Sequence, residues 1–128
     1  MADQPKNFTI LIVEDDIHHL TALKDKFFNE GFTVLETRDG QEGLTSALTN
    51  HPDLILLDII MPIMDGMTML DNLRLDPWGK SVPVVLLTNL SEADKVAASL
   101  RQGVYDYLIK SDWKLEDIVK KVKTKLEK

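Results

Sequence analysis

A doubly wound α/β domain, with a five-stranded parallel sheet flanked by five helices, is the fold class that this sequence predicts. Three observations predict it. Apolar runs rich in β-branched residues alternate with stretches of helical periodicity along the chain. Those runs are almost continuously apolar, as in strands covered by helices on both faces. No internal repeat, linker or low-complexity segment interrupts the alternation, so residues 1–128 read as one domain, with 1–7 expected to be a flexible N-terminal segment.

The elements follow in order. Phe8 to Val13 reads as a buried strand. Ile17, Leu20, Leu23 and Phe27 repeat at helical spacing, so a helix follows and ends at Gly31. Phe32 to Leu35 is the second strand. Asp39 and Glu42 have capping-box spacing ahead of a buried stripe of Gly43, Leu44, Ala47 and Leu48, and His51-Pro52 stops that helix. Leu54 to Leu57 is the third strand. A loop carrying Pro62 and Gly66 leads to a helix built on Met67, Leu70 and Leu73. After the turn Asp76-Pro77-Trp78-Gly79, Val82 to Leu87 is the fourth strand, with Pro83 near its start, where a missing N–H matters least. Ser91 caps the next helix, which carries Ala93, Val96, Ala97 and Leu100 on one face and ends at Gly103. Val104 to Ile109 is the fifth strand. Leu115, Ile118, Val119, Val122 and Leu126 form the stripe of the last helix.

Composition excludes several functions. The chain has no cysteine, which removes disulfide frameworks, zinc–thiolate sites and cysteine nucleophiles. A formal net charge of −6 argues against direct nucleic-acid binding, which needs a basic face. The lysines at 114, 120, 121, 123, 125 and 128 read as a solvated helix face, favoured near a helix C-terminus by the macrodipole. Met1 to Phe8 lacks the apolar core of a signal peptide, and the longest apolar run is broken by Asp58 and Pro62. No membrane span and a cytoplasmic location are therefore expected.

In doubly wound sheets, ligands bind at the carboxyl ends of the strands. The polar residues at those ends are Glu14, Asp15 and Asp16 after the first strand, Asp58 after the third, Thr88 and Asn89 after the fourth, and Lys110 after the fifth. Clustered carboxylates repel: two unit charges ~4 Å apart at an effective dielectric near 20 cost roughly 4 kcal/mol. Such a cluster must protonate, bind a cation or find a basic partner. Lys110 supplies one positive charge and a divalent ion supplies two more. All-oxygen ligands point to Mg²⁺ or Mn²⁺ rather than zinc. A carboxylate beside such an ion, with a lysine and a hydroxyl nearby, is a candidate nucleophile toward phosphorus.

These residues resemble the receiver domains of response regulators, and the likeness covers essentially the whole chain. It is carried by Ile12-Val13-Glu14-Asp15, by Asp58-Ile59-Ile60-Met61-Pro62-Ile63-Met64-Asp65-Gly66, by Val84-Val85-Leu86-Leu87-Thr88, and by Tyr107 three residues before Lys110. The resemblance implies a flavodoxin-like (βα)5 fold and a two-component signalling role. Asp58 would be the phospho-acceptor. Asp15 would bind the metal directly, with Glu14 acting largely through water and the main-chain carbonyl of Ile60 as a further ligand. Thr88 would donate its hydroxyl to the phosphoryl group and Lys110 would pair with a phosphoryl oxygen. Tyr107 would rotate inward as Thr88 moves, changing the face made by the fourth helix, fifth strand and last helix. The implied partners are a histidine kinase or phosphotransfer protein. Because no output domain follows the last helix, a stand-alone module is expected, signalling by surface change, by phosphate transfer or as a homodimer through that face, with Asp106, Lys120 and Lys121 as charged pairs. Ile60 and Leu90 cannot orient an attacking water, so a long-lived phosphoryl state is expected. One departure stands out: Ser111 follows Lys110 where the family usually has proline, so a trans bond is expected there.

Two other functions compete. A magnesium-dependent aspartyl-phosphate phosphatase or phosphotransferase commonly has a second aspartate two residues after the nucleophile; here that residue is Ile60, so the chain is expected to catalyse only its own phosphorylation and dephosphorylation. A flavodoxin-like cofactor binder would need a phosphate loop after the first strand, where Glu14 and Asp15 would repel it. Read alone, Asp16 is a helix-start residue, His18 and His19 are solvated surface, and Met61, Met64, Met67 and Met69 are packing residues. Trp78 and Trp113 read as partly buried loop residues.

Overall fold

The computed structural model describes residues 8–59, 61–88, 106–109 and 114–126. Strands β1 (Thr9–Val13), β2 (Thr33–Thr37), β3 (Leu54–Asp58), β4 (Val84–Thr88) and β5 (Asp106–Ile109) form one parallel sheet in the order β2-β1-β3-β4-β5. The chain starts in the interior of the sheet at β1, steps out to the edge at β2, then returns past β1 and winds to the other edge. That reversal sets a crevice at the carboxyl ends of β1 and β3. The described helices are α1 (Ile17–Asn29), α2 (Gly40–Asn50), α3 (Gly66–Leu75) and α4 (Leu115–Leu126). The helix expected from Ser91 to Gly103, Val104 at the expected start of the fifth strand, and segment 1–7 lie outside the described residues.

The strands are apolar throughout because both faces are covered. Alternate side chains point to opposite sides. Ile10, Ile12, Leu54, Leu56, Val85 and Leu87 meet Leu20, Leu23 and Phe27 of α1 and Ile118, Val119 and Val122 of α4. Leu11, Val13, Ile55, Leu57, Val84 and Leu86 meet Ala47 of α2 and Met69, Leu70 and Leu73 of α3. Each fully buried aliphatic side chain contributes about 1.5–3 kcal/mol relative to exposure. These two cores hold the strand ends rigidly in place, which a site shared between strands requires. Met61 and Met69 are buried and Met64 and Met67 partly so, as packing residues.

The differences from expectation have local causes. β2 runs on to Thr37, since Glu36 and Thr37 pair with Ile12 and Val13 although they extend no apolar run. On an edge strand a solvated Glu36 is tolerated, and it meets Lys24 of α1 at 3.3 Å. β4 begins at Val84 rather than Val82, because Pro83 has no N–H for the ladder, although its carbonyl accepts from the N–H of Ile55 at 3.0 Å. Leu48, expected in the buried stripe of α2, is 37% exposed. The buried line runs through Gly40, Gly43 and Ala47, and Leu48 sits one residue further round the helix.

Candidate functional site

Strand register brings the rim residues together. Val13 pairs with Leu57, so Glu14 and Asp58 stand level on neighbouring strands. Asp58 pairs with Leu87, which sets Thr88 one residue further along β4. Thr88 in turn pairs with Ile109, the residue before Lys110, and Leu86 pairs with Tyr107. Lys110, Ser111, Asn89, Leu90 and Ile60 lie outside the described residues, as do Asp112 and Trp113. The Lys110–Ser111 bond therefore lies there too.

The acids differ in setting. Glu14 is fully buried and Asp58 is 6% exposed, whereas Asp15 is exposed. Asp58 Oδ1 accepts from the Ile59 N–H at 2.8 Å, which fixes one oxygen of the carboxylate. The N–H of Glu14 donates to the Thr37 carbonyl at 3.1 Å, extending the β1–β2 pairing up to the acid itself.

Three further aspartates on this rim are structural. Helices α1, α2 and α3 each follow the carboxyl end of a strand, so their amino ends gather here. Asp16 Oδ1 accepts from the N–H groups of His18 at 2.9 Å and His19 at 3.3 Å. Asp39 Oδ1 accepts from the Glu42 N–H at 2.8 Å, and Asp65 Oδ1 from the Thr68 N–H at 2.8 Å. All three are N-caps that satisfy otherwise unpaired donors. The return arm of the α2 cap differs slightly from a capping box: Glu42 Oε1 accepts from the Arg38 N–H at 3.4 Å, one residue before the cap.

The loop after Asp58 is tightly held. The Gly66 N–H donates to the Ile59 carbonyl at 2.8 Å, and any side chain at Gly66 would run into the Asp58 carbonyl. Only glycine lets α3 start this close behind the acid. Between them, the Met64 N–H donates to the Pro62 carbonyl at 2.7 Å around Ile63, whose φ is 68°. This is a tight γ-turn on a β-branched residue that is 82% exposed. Left-handed backbone there costs about 1–2 kcal/mol.

His19 was read from the sequence as solvated surface, and the structure corrects this. Its Nδ1 lies 2.6 Å from Glu14 Oε1, and its side chain is 25% exposed. Glu14 Oε2 accepts from the Asp16 N–H at 3.1 Å. The only sequence signal was a histidine three residues into the helix that begins just after the acidic pair. His18 is exposed, and Trp78 is partly buried as expected, its ring stacked on His51.

The donor set is made of hard oxygens with an open, solvent-facing side at Asp15. Among the described residues no group of three or more His, Asp or Glu side chains stands so placed that it could hold a metal ion. A set of one or two carboxylates completed by water and phosphate oxygens suits Mg²⁺, which dehydrates reluctantly. Asp15 and Asp58 could supply such a pair, with Glu14 acting through water. No helix among the described residues is long and apolar enough to cross a membrane.

Known proteins agree with this geometry. The model of the response regulator receiver domain family matches residues 10–123. The chain is 39% identical over 119 residues to the transcriptional regulatory protein PrrA of Mycobacterium tuberculosis, covering 93% of this chain and 50% of that protein. It is 38% identical over 101 residues to the response regulator PleD of Caulobacter vibrioides, covering 79% of this chain and 22% of that protein. The chain thus spans half or less of the length of these curated relatives. A putative response regulator from Chloroflexus aurantiacus superposes with a TM-score of 0.87 at 30% identity, covering 96% of this chain and 100% of that one. The receiver domain of the sensor histidine kinase PA1611 from Pseudomonas aeruginosa, solved with a magnesium ion coordinated in its active-site cleft, superposes at 0.86 with 26% identity, covering 95% of this chain and 99% of that one.

Proposed function

The chain belongs to the receiver domain family of response regulators in two-component signalling, and from that premise we propose that Asp58 accepts a phosphoryl group from a histidine kinase or phosphotransfer protein. One observation carries the reading: Asp58 ends β3 level with the buried Glu14 just after β1 and one residue short of Thr88 on β4. A carboxylate oxygen of Asp58 attacks phosphorus, a P–O bond forms, and the bond from phosphorus to the donor nitrogen breaks, leaving the donor histidine to take up a proton. The Ile59 N–H holds Asp58 Oδ1 and so fixes the orientation of the carboxylate. Mg²⁺, or Mn²⁺ in its place, held by Asp15, Asp58, the Ile60 carbonyl and, through water, Glu14, would neutralise charge on the transferring oxygens.

In this reading Lys110 pairs with a phosphoryl oxygen and the Thr88 hydroxyl donates to another. Tyr107 follows Thr88, and the face built from β5 and α4 changes; a homodimer through that face is part of the proposal. The domain is a switch that catalyses only its own phosphorylation and dephosphorylation, in the cytoplasm. Incubation with acetyl phosphate, with and without Mg²⁺, tests the reading by intact mass. Wild type is expected to gain one phosphoryl group only with Mg²⁺, and Asp58→Asn none. Labelling of Asp58→Asn equal to wild type would place the acceptor elsewhere.

A further inference from the structure

The buried glutamate is held by a group outside the acidic motif. Asp16 caps α1 by accepting from the N–H groups of His18 and His19, and this fixes the first turn of the helix. The turn brings the imidazole of His19 onto Glu14, Nδ1 to Oε1 at 2.6 Å. A carboxylate accepts hydrogen bonds, so the contact assigns the donor role and its proton to Nδ1. Glu14 Oε2 takes the Asp16 N–H at 3.1 Å. The two oxygens are therefore assigned different donors on the same short segment.

Glutamate has one more rotatable bond than aspartate, and a buried carboxylate oxygen that loses its donor is left unsatisfied. We propose that His19 is a positioning residue for Glu14: its Nδ1–H fixes the carboxylate's rotamer, so that Glu14 meets the hydration shell of the divalent ion in one orientation. The side chain acts on the metal through Glu14. This rests on the reading of the rim as a divalent-ion site.

The test compares Mg²⁺ binding to the full chain by isothermal titration calorimetry under one set of buffer conditions. His19→Leu removes the donor. His19→Asn keeps an N–H close to the place of Nδ1. His19→Leu is expected to bind Mg²⁺ about tenfold more weakly than wild type, as is usual when an outer-shell partner is lost, and His19→Asn to recover most of the difference. In a Glu14→Gln background, His19→Leu is expected to change Mg²⁺ affinity less than about twofold, because the group it acts through is gone. Equal affinity of wild type and His19→Leu overturns the proposal, as does an asparagine variant as weak as the leucine one. A long-range ¹H–¹⁵N correlation spectrum of wild type reads the tautomer directly: Nδ1–H supports the proposal, and Nε2–H overturns it even if His19→Leu does not fold. Wild type that binds no Mg²⁺ overturns the divalent-ion reading itself, whereas binding unaffected by His19 overturns the role of His19 alone.

Discussion

At the amino-terminal rim of the sheet, polar side chains are used to tie loops, whereas the carboxyl-terminal rim also carries Glu14, Asp15 and Asp58, the acids of the proposed phosphoryl site. At the first rim, Arg74 Nη1 donates to the carbonyls of Gly79 at 2.6 Å and Val82 at 3.0 Å. Asp76 Oδ2 accepts from the N–H groups of Trp78 and Gly79 at 2.9 and 3.0 Å. Asp53 Oδ2 accepts from the Thr9 N–H at 2.7 Å, and the His51 ring stacks on Trp78 at 4.2 Å. Glu30 joins Lys26 of α1 to Lys123 of α4. At the second rim the caps Asp16, Asp39 and Asp65 play the same structural part. Glu14 and Asp58 also take local N–H donors, from Asp16 and Ile59, but neither caps a helix. What separates the two rims is therefore the presence of acids beyond the caps, rather than polarity as such.

The largest effect is expected at the tying rim. Arg74→Ala removes two charge-assisted bonds to loop carbonyls and should lower stability in urea by about 3 kcal/mol, with Mg²⁺ affinity within about twofold of wild type. A parallel loss of Mg²⁺ affinity would break the comparison, because the rims would then be coupled through the sheet. Asp58→Asn sharpens it from the other side. Removing one charge from the acidic set should raise stability without metal by about 1 kcal/mol, and added Mg²⁺ should stabilise the variant less than wild type. A destabilised variant would show that Asp58 serves the fold after all.

The smallest effect concerns Glu30. Contacts with Lys123 and then Lys26 hold its carboxyl below the ordinary value of 4.5. A depressed carboxylate contributes stability above its unfolded value and loses it as pH falls through the folded one. Lys123→Ala should move the Glu30 midpoint upward toward 4.5, as read by carboxyl NMR titration, and flatten the acid limb of stability at this site alone. An unmoved midpoint would mean that the α1–α4 tie is screened out in solution.

Much of the fold, and the place of the candidate acids on its rim, were legible in the sequence for local reasons. A strand buried on both faces must be an unbroken apolar run, and Thr9–Val13, Leu54–Asp58 and Val84–Thr88 are marked that way. An aspartate before an amphipathic stretch caps it, and Asp39 stood out by its spacing from Glu42. Glu14, Asp15 and Asp58 stood out because charges that end apolar runs in a doubly wound sheet must share one rim. Edge strand β2 was harder to delimit, since Glu36 and Thr37 pair without being buried.

Sequence alone thus determined the order of elements, the sheet's two covered faces and the acids at its carboxyl rim, because periodicity and capping act over a few residues. Tertiary structure decided which side chains meet across turns: His19 on Glu14, His51 on Trp78, Arg74 on the carbonyls of Gly79 and Val82. Those contacts depend on the angle at which a helix leaves its cap, on a left-handed residue such as His51 at φ 48°, and on the path of a loop. Such angles are set by packing against the whole sheet, and no short stretch of sequence encodes them.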